Sequence, residues 1–181
     1  MVAFHLRRAA PPDLGVLAHV LSVPPEALHA WLDAEGQAHF ATLIGRLEAA
    51  QEELRGLAEA DAPPASCIEE TLAALLRRIR GNARQDPKAF GVFADWCSRT
   101  LPVVEPYLDQ LPGLLEAPCR RLGLPDSAGW ELVAATYPWT FPPAALAQLD
   151  QDPEPALRAA VRRRLASLLR EAWARGEASG A

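Results

Sequence analysis

Residues 17–32 read LAHVLSVPPEALHAWL. Leu17, Ala18 and Leu21 recur at helical spacing, Ser22 and Val23 interrupt it, and Leu28, Trp31 and Leu32 resume it. Pro24-Pro25 marks a corner, because proline in a helix interior costs a backbone hydrogen bond. The stretch predicts two helices, 13–21 and 25–34, meeting at a tight elbow. In such an elbow Ala18 gives room where the helices cross. Val23 points inward, Leu28 plugs the angle with Trp31 and Leu32, and the second helix stands proud. The same spacing fits either a groove-reading helix or an ordinary corner of a helical core.

Outward from this stretch the helical bias continues. Of 181 residues, 50% are apolar and 23% charged, a globular composition. Ala, Leu, Glu, Gln and Arg dominate over β-branched residues and lose little freedom in a helix. Helices are expected at 2–9, 13–21, 25–34, 37–60, 66–81, 87–99, 102–116, 126–136, 143–150 and 153–176. No segment alternates like a strand, so the expected class is all-α. Ser66 and Glu69 read as a capping box. Asp86-Pro87 and Asp152-Pro153 place a carboxylate before a first-turn proline. Gly81 and Gly123 read as helix stops, and Tyr137-Pro138-Trp139 as an irregular corner. The segment at 60–65 divides an N-terminal unit, 1–60, from a helical bundle, 66–181, that suits oligomerisation or effector binding.

The elbow resembles the helix-turn-helix of the Cro and phage-repressor-like family on Leu17, Ala18, Leu21, Val23, Leu28 and Trp31. The likeness covers residues 14–34 only. It implies a DNA-binding transcription regulator whose helix 25–34 enters the major groove of double-stranded DNA. Pro25, Glu26, His29 and Ala30 would then face bases, and Arg7 and Arg8 would touch phosphate. Two departures stand out. Ser22 occupies the place of the family's turn glycine, where a left-handed backbone strains any side chain. Asp33 and Glu35 would face phosphate and repel it. The competing reading is a non-catalytic helical protein-interaction module that binds no DNA.

Net charge bears on this choice. The chain carries −5 overall, which gives no general attraction to nucleic acid. Residues 158–175 reverse the sign, with six arginines against one glutamate. Arg158, Arg162 and Arg163 are therefore candidates for an anion or nucleic-acid contact. A positive rim assembled from Arg77, Arg78 or Arg162 around helix 25–34 would favour DNA, and an acidic one protein.

Phe40, Leu43, Leu47, Ala50, Leu54 and Leu57 form a seam of about two and a half heptads. It packs on its own bundle or makes a homodimer, through 37–60 or through the C-terminal bundle. Residues 130–141 (WELVAATYPWTF), with Phe90, Phe93 and Trp96, line either an effector pocket or the core. His5, His19, His29 and His39 show no zinc-ligand spacing, and no nucleophile motif or Gly-rich phosphate loop occurs. No enzyme, metal or cofactor is expected. Three widely spaced cysteines fit a reducing cytoplasm, and no apolar run reaches the roughly 20 residues of a membrane span. The single lysine among many Ala, Leu, Pro and Arg points to a GC-rich bacterial genome.

Overall fold

The computed structural model describes residues 22–99 and 110–178, and the side chains at 36, 37, 39–51, 92, 96, 99, 177 and 178 lie outside that description. Helix 2–9, helix 13–21, Arg7, Arg8 and Trp96's side chain are thus outside it. The described residues form eight helices and no strand, so the chain is all-α. They are α1 (Pro25–Glu59), α2 (Pro64–Gln85), α3 (Pro87–Arg99), the single turn α4 (Gln110–Gly113), α5 (Glu116–Arg121), α6 (Ala128–Thr140), α7 (Pro142–Ala147) and α8 (Glu154–Ala178).

The expected helices 25–34 and 37–60 are one continuous helix, α1, running through Gly36. An interior glycine costs only about 1 kcal/mol, which burial elsewhere along the helix offsets. Gly81 fails as a stop for the same reason. Ile79, Arg80 and Ala83 beyond and before it are buried, and α2 continues to Gln85. The capping box is also absent. α2 begins at Pro64, two residues earlier, and the Ser66 and Cys67 amides donate to the Pro63 carbonyl. Pro138 lies inside α6 rather than at a corner.

Two punctuation marks behave as expected. Ala89 N–H donates to Asp86 Oδ1 at 3.0 Å at the start of α3. After α5, Gly123 adopts φ 67°. Its amide bonds Arg120 O while Leu124 N–H reaches back to Cys119 O, a Schellman stop that satisfies the last carbonyls.

α2 is the central helix, with eleven buried residues serving two cores. One turn-to-turn row, Leu75, Ile79 and Ala83, joins Leu54 of α1, Phe90, Phe93 and Cys97 of α3 and Ala145 of α7. The other row, Ile68, Leu72 and Leu76, meets Leu132 and Val133 of α6 and Leu157, Val161, Leu165 and Leu168 of α8. Each leucine so buried contributes roughly 1.5–3 kcal/mol. The seam of the long helix therefore ends in the chain's own core: Leu54 is 1% exposed. Where α4 crosses α6, a Cβ on Gly129 would lie 2.8 Å from the Pro112 carbonyl oxygen, so only glycine fits without a backbone shift.

Polar ties hold the helices in register. Arg80, 6% exposed, donates to the carbonyls of Gln148, Leu149 and Gln151 at 2.8, 3.0 and 2.5 Å. It thereby fastens the loop between α7 and α8 onto α2. Arg121 similarly donates to Ala60 O and Ala62 O at 3.2 and 3.1 Å. That closes the end of α1, whose terminal carbonyls have no partner within the helix.

Candidate functional site

The start of α1 follows from its local chemistry. Ser22 adopts φ 53°, the left-handed conformation that the sequence likeness requires at its turn. Pro24 then extends the chain, and its carbonyl accepts from Ala27 N and Leu28 N at 3.0 and 3.2 Å. Pro25 takes the first helical position, where its missing N–H is no loss. No side chain caps this end.

Pro25, Glu26, His29 and Ala30, the residues expected to face outward, are all exposed. His29 Nδ1–H donates to the Pro25 carbonyl at 2.7 Å. This holds the ring against its own helix with Nε2 outward. Leu28 is buried at 6% exposure, as a plug requires. Two expectations are corrected. Val23 does not point inward and is 39% exposed, and Trp31 is 56% exposed. The helical phase explains the tryptophan. At about 100° per residue, Leu28 and Leu32 lie about 40° apart, whereas Trp31 lies about 60° from one and about 100° from the other.

The electrostatics here are one-sided. From Ser22 to Gly45 the chain has no lysine or arginine, while Glu26, Asp33 and Glu35 occupy the first turns. The distant arginines that could have supplied a positive rim are held by carboxylates. Arg78 pairs with Glu53. Arg77 and Arg158 share Glu70 and Glu154 in a closed ring of four, with Arg158 Nη2 2.7 Å from Glu70 and 2.8 Å from Glu154. Arg162 grips both oxygens of Glu69 at 2.9 Å. The Arg158 hydrogen bond, joined by Arg77, holds the Glu70 carboxyl below the usual range despite partial desolvation. At Glu154 desolvation acts upward, and hydrogen bonds from Arg158 and Arg77 outweigh it, leaving a net lowering.

Of the three arginines expected to bind an anion, Arg158 and Arg162 thus face the chain's own glutamates across the α2–α8 seam. They flank a cleft of about 480 Å³ whose walls include Leu57, Cys67, Glu69 and Glu70. Arg163 lies on the opposite, exposed side of α8. With it lie the exposed Arg170 and Trp173. Trp173 and Leu169 are 71% and 37% exposed. The signal for this surface was the spacing Arg163, Ala166, Arg170, Trp173 at i, i+3, i+7 and i+10.

The chain matches no protein-family model, no curated protein and no solved structure.

Burial pushes the Cys97 thiol up to about 12 and the Cys119 thiol up to about 11, away from thiolate reactivity. Among the described residues no three His, Cys, Asp or Glu side chains converge to hold a metal ion, and no helix is long and apolar enough to cross a membrane. The described aromatic side chains do not share one pocket. Phe90 and Phe93 meet edge-to-face at 5.6 Å in the first core, Tyr137 and Trp139 pack on the second, and Trp130 is 39% exposed.

Proposed function

We propose that this chain is a non-catalytic helical interaction protein that meets another protein through the first turns of α1. One observation carries the reading. Trp31 is 56% exposed on a helix start bearing three carboxylates and no cation. A tryptophan held on a rigid helix supplies large contact area at little entropic cost, and such residues dominate binding energy at protein interfaces. Three buried free thiols support a reducing compartment for this activity.

A second reading, a DNA groove reader, draws support from Ser22, whose φ of 53° is what the turn of a helix-turn-helix demands. The exposure of Glu26, His29 and Ala30 is compatible with it. Charge favours the first reading. Phosphate contact needs cations, because release of their counterions drives binding, and Arg77, Arg78 and Arg162 already face carboxylates.

Binding to mixed-sequence duplex DNA at low and high salt separates the two. The interaction reading expects no binding at either. Affinity that falls steeply with salt and is lost in a Glu26→Ala/His29→Ala variant would replace it with the groove reader.

A further inference from the structure

We propose that the outer face of α8 is a second docking surface, one that takes an acidic amphipathic helix of another protein. It goes beyond the reading above, because it uses none of the residues at the start of α1.

Elsewhere the chain neutralises its own cations. Arg77, Arg158 and Arg162 pair with glutamates, and Arg80 and Arg121 donate to backbone carbonyls. Arg163 and Arg170 reach no such acceptor among the described residues, and both are exposed. At about 100° per residue they point within about 20° of each other, opposite the row of Leu157, Val161, Leu165 and Leu168 that faces the core. Trp173 stands one turn beyond Arg170 and about 60° from it. It is 71% exposed, and Leu169 beside it is 37% exposed. Ala166, at a height between the two arginines, is exposed as well.

The charge and spacing of this face select its occupant. Arg163 and Arg170 are seven residues apart, about 10 Å along the helix. Two carboxylates seven residues apart on a helix laid alongside therefore meet both, each taken by the planar fork of a guanidinium. Ala166 between them lets the partner's backbone approach closely. The apolar side chain that covers Trp173 then sits one turn beyond the second carboxylate. Tryptophan and arginine are also the side chains most enriched among those that dominate binding between proteins. A denser polyanion fits the surroundings less well. A nucleic acid or an anionic bilayer spreads its charge past the two arginines, onto a chain that carries −5 overall and onto Glu171, exposed directly after Arg170. Two discrete carboxylates meet the arginines alone.

Fluorescence anisotropy with a dye-labelled synthetic peptide of about 20 residues, long enough to be helical in water, tests this. The peptide carries Glu at two positions seven apart and Leu three residues beyond the second. The wild-type chain should bind it, less tightly as salt rises. Arg163→Glu/Arg170→Glu should weaken binding roughly tenfold or more, because like charges then face each other. The same peptide with Lys in place of both Glu should bind that variant and not the wild type. Trp173→Ala, which keeps every charge, should weaken binding roughly tenfold, and Trp31→Ala should leave it unchanged. Circular dichroism confirms that each variant is folded. A wild-type chain that does not bind the peptide at low salt overturns the proposal, as does binding that survives the arginine reversal. Tighter binding of an oligothymidine strand or of phosphatidylserine vesicles than of the peptide, lost in the same variant, also overturns it and assigns the face to a polyanion. None of these outcomes touches the reading at the start of α1, which fails on salt-dependent duplex binding lost in the Glu26→Ala/His29→Ala variant.

Discussion

The start of α1 and the α2–α8 bundle handle charge and apolar surface in opposite ways. Within the bundle, glutamates 69, 70, 131 and 154 each lie against an arginine of a neighbouring helix, and leucines such as Leu72, Leu132 and Leu157 are fully covered. At the start of α1, Glu26 faces water and Trp31 and Val23 stay open. The two regions differ in what their residues stabilise. Side chains in the bundle hold the fold, whereas Val23, Glu26 and Trp31 contribute little to it and are left available for contact. Substitutions should separate the two regions by the size of their effect on folding.

The largest effect is expected where α1 enters the bundle. Leu54→Ala removes a side chain that is 1% exposed among Leu75, Ile79, Phe90 and Phe93. It should cost about 3 kcal/mol from lost transfer energy and the remaining cavity, read as a lower urea midpoint. Next comes Arg80→Met, which keeps the stem but orphans the carbonyls of Gln148, Leu149 and Gln151. A loss of about 2 kcal/mol is expected, with protection lost first in the loop before α8 by amide exchange.

A smaller and pH-dependent effect is expected at the ring of four. Glu70→Gln should cost at most about 1 kcal/mol at neutral pH, because these side chains are partly solvated. Glu70's pKa in the folded chain lies below its ordinary value of 4.5. Its contribution is therefore complete above that value and is lost as pH falls through the lowered one. Urea titrations at pH 7 and pH 5 should show the same gap between wild type and variant, and the gap should close as pH drops further below 4.5. The smallest effect belongs to the helix start, where Trp31→Ala should change folding stability by no more than about 0.5 kcal/mol. A loss comparable to that of Leu54→Ala would show that the tryptophan is core after all, and the contrast between the regions would collapse.

The all-helical class was legible because nearly every segment of this chain prefers a helix locally. So were the Asp86 cap and the Gly123 stop, whose chemistry lies within a few residues of each site. Gly36, Gly81 and Pro138 misled the reading because each carries a local cost that tertiary burial overrides. The exposure of Pro25, Glu26, His29 and Ala30 could be read from the period, but that of Trp31 needed the helical phase relative to Leu28 and Leu32. What the arginines do could not be read. Arg158 and Arg162 meet Glu70 and Glu69 across 88 and 93 residues of chain, and no local pattern announces which cation a folded chain neutralises and which it leaves outside.

The continuity of α1 has a mechanical side. Its 35 residues make a rod about 50 Å long, and Trp31 and Leu54 sit on it about 35 Å apart. An α-helix is stiff over that length, so a load applied at the tryptophan is delivered to the packing around Phe90 and Phe93 rather than absorbed at a hinge. Anything that grips the tip thereby has leverage on the interior.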